Sequence, residues 1–365
     1  MPHLLSKLTS CIPRHHVSKE MKPMINSPLN SYLKLSRFEL MPDEILIEIF
    51  EYIPLIDLYY AFVNLNFRLN LLLRDVRLGI NYHQNEEKTK NILKIIYYFC
   101  KQICYIHIDH FPLLNLKYFS NLHSLIIYLP TKSQLLSINN KIMPNLNRLW
   151  IGIINKNDEN ILCQNLFGNQ QFSKLNYCYL FQINFYENYS LYENCLNIRI
   201  LSITNIKTKD FVFILELLPN LCQLQICISD VYLSSLKQIK KIYHRNLRIL
   251  KIEFIENVFQ LKHFNLIVSF VPYINQCYLI LVNLIQLKHF LFLENIISKQ
   301  LFKLKLFSCS IDYSCQLSSN KMIRKFQNFI LKIPFYQTMK IIPCQIHHDK
   351  CLRKTSMNKT LIPLY

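Results

Sequence analysis

A seven-residue pattern of apolar positions recurs along this chain, and its repetition is the strongest constraint on the fold. The copies are QICYIHI from Gln102, NLHSLII from Asn121, NLNRLWI from Asn145, KLNYCYL from Lys174, NIRILSI from Asn197, NLCQLQI from Asn220, NLRILKI from Asn246, YINQCYL from Tyr273 and QLFKLKL from Gln300. Successive copies begin 19 to 29 residues apart. The second, fifth and seventh positions are apolar in every copy, so the last two alternate on a short strand and point the same way. One such strand cannot bury that face alone. Neighbours repeated at this period supply a shared core, which predicts burial of Leu122, Leu125, Ile127, Leu146, Leu149, Ile151, Leu221, Leu224, Ile226, Leu247, Leu250 and Ile252.

The segments between copies have a different period. KDFVFILELLPN and DVYLSSLKQIKKIY space their apolar residues as helices do, and several such runs end in Met-Pro, Leu-Pro or Val-Pro just before the next copy. One strand and one helix per repeat follow, giving an α/β array over residues 91–340. The sixth position of each copy alternates to the opposite face. That column reads His107, Ile126, Trp150, Tyr179, Ser202, Gln225, Lys251, Tyr278 and Lys305. Its early half is the more aromatic, and a Trp or Tyr on a rigid sheet is a good anchor for a partner. Ile126, Trp150, Tyr179, Gln225, Lys251 and Tyr278 are therefore the candidate target-binding residues.

Ahead of the repeats, residues 38–80 carry three short helical stretches. In FELMPDEILIEIFEYIP, Pro42 suits a first helical turn, Asp43 and Glu44 suit its positive end, and Pro54 stops it. At helical spacing Ile45, Leu46, Ile49, Phe50 and Ile53 share one face, opposite Glu44, Glu48 and Glu51. Asp57 is placed to cap LYYAFVNLN, and FRLNLLLRDV supplies a third apolar stripe.

The run M-P-D-E-I-L-I-E-I-F-E-Y-I-P, followed by D-L and A-F-V, resembles an F-box from its start through its second helix. Members of that family typically open with Leu-Pro and an acidic pair, where this chain has Met41. The family often carries a Val-Cys pair and a downstream Trp, where this chain reads Asn64, Leu65, Asn66, Phe67 and Arg68, which leaves the contacts of the third helix open. The repeats in turn resemble the leucine-rich repeats of F-box proteins in their strand core, without a regular Asn after the strand. Together the resemblances imply a short three-helix F-box followed by an irregular leucine-rich-repeat solenoid, with parallel strands on the concave side and helices on the convex side.

They also imply a role. The chain would be the substrate-recruiting subunit of a cullin-RING ubiquitin ligase of the Skp-cullin-F-box type. The F-box would bind a Skp-type adaptor, and through it a cullin, while the repeats hold an unidentified protein target. By this resemblance Pro42, Ile45, Leu46, Ile49 and Leu58 are the adaptor-binding anchors. A protein-interaction scaffold without ligase function, built on the same repeats, is the alternative.

Other classes of function find little support. Three glycines, Gly79, Gly152 and Gly168, are too far apart to cradle a phosphate, and no motif for an activated nucleophile or a metalloprotease helix is present. The chain is expected to be non-catalytic, with no cofactor and no metal. Cys344, His347, His348 and Cys351 crowd into eight residues without paired Cys-x-x-Cys knuckles, so zinc is not expected there. Cys100 and Cys104 are expected as small core groups one helical turn apart, and His15 and His16 as solvated residues of a tail.

A net charge of +19 favours anionic partners, but the basic residues are scattered and Lys, Asn, Ile, Tyr and Phe are abundant together, so nucleic acid is not the expected ligand. The uncharged stretch Asn265 to Leu287 contains Pro272, Asn275, Gln276 and Asn283, and reads as a helix end, a turn and a strand, not a membrane span. Thirteen scattered cysteines and an N-terminus without a convincing signal peptide point to a cytoplasmic or nuclear protein. Residues 1–37 and 341–365, polar, basic and without a period, are expected to be tails.

Overall fold

The computed structural model describes residues 38–82, 89–168, 172–181, 183, 185, 192–230, 243–254, 261–282 and 288–312. Both expected tails and residues 313–340 lie outside this set, as does most of DVYLSSLKQIKKIY. The chain divides into two units, Met1–His107 and Ile108–Tyr365.

The first unit opens with three helices, α1 (Asp43–Glu51), α2 (Leu55–Phe62) and α3 (Phe67–Leu72). Two prolines set this rhythm. Pro42 and Pro54, at φ −56° and −54°, stand immediately before α1 and α2 with extended backbone, so each helix starts where a proline costs it nothing. Asp57 consequently sits inside the first turn of α2 and is not its cap, although its carboxylate still faces the positive end of the helix. Asn66 caps α3 by accepting a hydrogen bond from the Leu69 amide at 2.8 Å. That helix ends at Leu72, short of the full apolar run, because the chain turns over Leu73–Asp75.

Strand β1 (Leu78–Tyr82), helix α4 (Thr89–Tyr98) and strand β2 (Ile103–Ile108) follow, with β1 and β2 neighbours. Leu46, Phe50, Leu58, Leu69, Leu72 and Phe99 are buried. The Phe62 ring lies 4.8 Å from that of Phe50 and 5.6 Å from that of Phe38, and Tyr59 meets Phe99 edge-on, which ties α2 to the end of α4. Cys100 and Cys104 do not share a helix. Cys100 follows α4 and Cys104 lies in β2, and both are half-buried rather than core residues.

In the second unit eight strands run in chain order: β3 (Ser124–Ile127), β4 (Arg148–Ile151), β5 (Tyr177–Leu180), β6 (Ile200–Lys207), β7 (Gln223–Asp230), β8 (Ile249–Phe254), β9 (Gln276–Val282) and β10 (Leu306–Asp312). Each is parallel to the next. A parallel pair needs a crossover, and among the described residues helices supply five of the seven: α5 (Lys132–Ser137), α6 (Glu159–Phe167), α7 (Thr208–Leu217), α8 (Leu261–Ser269) and α9 (Lys288–Gln300), while those from β5 to β6 and from β7 to β8 contain no described helix. The fold class is therefore α/β with a large parallel sheet.

Register explains the core. Leu125, Leu149, Cys178, Leu201, Leu224, Leu250, Cys277 and Phe307 form one continuous row across the eight strands, and all are buried. A second row, from Ile127 through Ile151, Leu180, Ile203, Ile226 and Ile252 to Leu279, runs beside it and is buried too. All twelve residues predicted to share the core are in it. Each contributes on the order of 1.5–3 kcal/mol of transfer free energy.

The last repeat is shifted. Helix α9 runs through Gln300, the chain turns at Phe302–Lys303, and β10 begins only at Leu306, so the final motif reads from Lys303 and not from Gln300. Lys305 therefore precedes the strand, and Ser308 takes its expected place beside Tyr278. The described part of Asn265 to Leu287, residues 265–282, divides among the end of α8, a turn at Pro272–Tyr273 and β9, and residues 283–287 lie outside the described set. Among the described residues no helix is long and apolar enough to cross a membrane.

Candidate functional site

Two surfaces carry the candidate residues. On the first unit, Leu46 and Leu58 are fully buried within the chain, which removes them as surface anchors and makes them part of the helical core. Pro42 and Ile45 are exposed and Ile49 is half-buried. Ile45, Ile49 and Tyr52 follow helical spacing along α1, Ile56 and Tyr60 along α2, and Phe67 and Leu71 along α3. Tyr52, Tyr60 and Phe67 are 73%, 69% and 79% exposed, so each helix turns an apolar stripe away from the core.

The third helix, whose contacts the sequence left open, is held by Asn66 and Arg68. The Arg68 guanidinium donates to Asp43 Oδ1 and to the carbonyls of Glu39 and Met41, and Asn66 Nδ2 donates to Glu39 Oε1 at 2.6 Å. Asp43 thus does more than favour the α1 terminus. It anchors α3. Asn64, at φ 64°, adopts the left-handed turn after α2, and its amide donates to Asn70 Oδ1.

On the second unit, the outward column falls in a single register row. Ile126, Trp150, Tyr179, Ser202, Gln225, Lys251 and Tyr278 lie side by side on β3 to β9. Strand alternation placed them correctly on the face opposite the core. Their exposure is uneven. Ile126, Trp150, Lys251 and Tyr278 are half-buried, whereas Tyr179 and Gln225 are 3% and 6% exposed, so these two do not stand on an open surface.

The aromatic end of the row is a stack. Trp150 lies parallel to Tyr179, with centroids 4.8 Å apart and planes 4° apart, and Tyr128 closes on its other side at 4.3 Å. Tyr128 is the neighbour missed from sequence, although its position two residues beyond Ile126 puts it on the same face. Gly152 makes room for it: a Cβ there would lie 2.3 Å from the Tyr128 carbonyl oxygen. Burial, with the nearby Tyr177 and Tyr128 phenols, pushes the Tyr179 hydroxyl up to about 12, so it stays a neutral donor. Burial lowers the Lys251 ammonium, a shift that the Glu253 carboxylate opposes.

His107, in β2, is half-buried. The Cys344, His347, His348 and Cys351 cluster lies outside the described residues, as do His15 and His16. Among the described residues no group of three His, Cys, Asp or Glu side chains could hold a metal ion. No protein-family model matches the chain, and no curated protein matches its sequence.

Proposed function

We propose that this chain is the substrate-recruiting subunit of a Skp-cullin-F-box ubiquitin ligase. Residues 38–80 act as the F-box and the repeats of 91–340 as an irregular leucine-rich-repeat solenoid that holds a protein target. The observation that carries this reading is the proline-started helix with its acidic pair, Pro42-Asp43-Glu44, combined with apolar stripes that α1, α2 and α3 leave exposed. Apolar helix faces of this kind gain free energy by docking into a complementary groove. The buried Leu46 and Leu58 shape the face, and Pro42, Ile45 and Ile49, with Tyr52, Ile56 and Tyr60, make the contact.

The chain itself performs no chemistry in this role. It raises the local concentration of a target lysine near the charged conjugating enzyme. Such a ligase works in the cytoplasm or nucleus.

The test is co-purification of the full chain with a Skp-type adaptor and a cullin. Ile45→Asp replaces a residue that is 45% exposed, so it should abolish capture while leaving the unfolding free energy within about 0.5 kcal/mol of wild type. Capture that survives Ile45→Asp combined with Tyr60→Asp would remove the F-box assignment. A chain that binds proteins through its sheet but never the adaptor would be a scaffold.

A further inference from the structure

We infer that the edge of the sheet at which β6 to β10 begin is a docking surface for an acidic peptide segment of a partner protein, held by cations on alternate strands and by an exposed aromatic pair. This edge is separate from the outward row and does not depend on the ligase reading. A single line of backbone hydrogen bonds crosses the strand starts: Cys222 N donates to Arg199 O, Arg248 N to Cys222 O, Asn275 N to Arg248 O and Lys305 N to Asn275 O, at 2.7–2.8 Å. Arg199, Arg248 and Lys305 therefore hold equivalent places immediately ahead of β6, β8 and β10, and all three are exposed. Two strand spacings separate each from the next, roughly 10 Å at about 4.8 Å per strand. Basic residues that are scattered in sequence thus stand at even intervals along one edge.

No acid on that edge neutralises them. None of the seven-residue copies contains Asp or Glu, and the turns at 243–248, 270–275 and 301–305 contain none either. Among the described residues Arg199 and Lys305 make no side-chain hydrogen bond or ion pair, and Arg248 donates only to the carbonyls of Arg245 and Leu247 in its own turn. The acids of these strands, Asp230, Glu253 and Asp312, stand at or next to the opposite ends of β7, β8 and β10.

The same edge exposes apolar surface. Phe302, in the turn before β10, is 64% exposed and meets the Tyr273 ring of the turn before β9 edge-on at 5.6 Å. The Lys303 ammonium lies 5.2 Å from the Tyr273 ring centre. Cations without counter-charges beside an open aromatic pair fit a segment that carries carboxylates next to apolar side chains. The carboxylates gain charge-assisted hydrogen bonds, and the apolar side chains cover the rings.

The spacing selects among anionic partners. A polyproline II segment rises about 3.1 Å per residue and turns once in three, so its residues i, i+3 and i+6 share a face at intervals of about 9 Å. Acids at that interval meet Lys305, Arg248 and Arg199 in turn. A DNA duplex presents a charge about every 1.7 Å, far denser than three cations in roughly 19 Å can match. A lipid surface imposes no interval at all.

The test is fluorescence anisotropy of a labelled peptide that repeats Glu-Phe-Pro, titrated with the full chain. It should bind about tenfold or more tighter than a peptide of the same composition whose Glu residues are contiguous. Lys305→Met and Arg248→Met should each weaken binding about fivefold or more. Lys174→Met should not, since that exposed cation lies ahead of β5 and off the line, where it donates to Asn145 Oδ1. Phe302→Ala should weaken the Glu-Phe-Pro peptide and leave its Glu-Ala-Pro counterpart unchanged, a difference that a general loss of folding would not produce. No binding, equal affinity for the contiguous-Glu peptide, or an equal loss on Lys174→Met would each overturn the assignment. Single-stranded DNA or phosphatidylserine vesicles that outbind the peptide, and are released by Lys305→Met, would overturn it in favour of nucleic acid or a membrane surface.

Discussion

His244 uses both ring nitrogens in a buried place: Nε2 donates to the Leu218 carbonyl at 2.8 Å, and Nδ1 accepts from the Leu247 amide at 3.0 Å. That pattern requires the neutral ring, since an imidazolium has no acceptor. Burial accordingly lowers its pKa below the ordinary value of about 6.5, and the Arg248 charge adds to the effect against the opposing Leu218 contact. The unfolded chain then binds the proton more readily than the folded one. The stabilisation is complete above about pH 6.5 and is lost as pH falls from there through the folded-state pKa. Urea unfolding between pH 7.5 and 5.5 should show this acid-side loss in wild type and a shallower loss in His244→Gln; identical slopes would mean that another group is responsible. Gly152 sets a second test, because its missing Cβ lets the chain pass against the Tyr128 backbone. Gly152→Ala should cost about 1–3 kcal/mol, as overpacking does, and should change the emission of Trp150, the chain's single tryptophan, by displacing Tyr128 from its ring.

At the level of elements, the asparagines that open several motif copies act as staples between neighbouring repeats. Asn197 Nδ2 donates to Phe172 O, Asn220 Nδ2 to Leu196 O and Asn246 Nδ2 to Pro219 O, each reaching back one repeat at 2.8–3.0 Å. Asn220→Ala should therefore cost about 1 kcal/mol and raise amide exchange around Leu196, where an exposed Asn with no such bond would cost almost nothing; unchanged exchange there would refute the staple. The strand cores, the twelve shared core residues and the outward row were legible in the sequence because period-two alternation and a repeat of fixed order determine them together. Other features were not, three of them for physical reasons that can be named. The run Leu301, Leu304, Leu306 satisfies the motif as well as Leu304, Phe307, Cys309 does, and only the length of α9 selects the second frame. The burial of Leu46 and Leu58 could not be told from a docking role, because an apolar stripe wider than the core needs looks the same in either use. The contacts of Arg68 and Asn66 join residues 25 to 29 positions apart, beyond any local pattern. Arg68→Met should accordingly loosen α3, seen as faster exchange at Leu69 to Leu73, while α7 to α9 are unaffected.

Over the molecule as a whole, every strand pairing from β3 to β10 joins neighbours in sequence, so the sheet of the second unit is a chain of nearest-neighbour interfaces. A fold of that kind need not fail as one body. Damage should spread outward from where it is made and fade with distance, whereas a domain with long-range pairings loses protection everywhere at once. Leu224 is the place to ask, since it is fully buried on β7 between Leu201 and Leu250. Leu224→Ala should cost about 2–5 kcal/mol, and Leu224→Asp more, because it adds an unpaired buried charge to the lost volume. Hydrogen exchange read by mass spectrometry should then show β6, β7 and β8 exposed first in Leu224→Asp, with β3 and β4 keeping most of their protection. The first unit's helices, whose buried residues include Leu46, Phe50 and Leu58, should stay protected. Uniform loss of protection across all eight strands would show that the sheet unfolds as a single cooperative unit, and the repeat architecture would have to be abandoned.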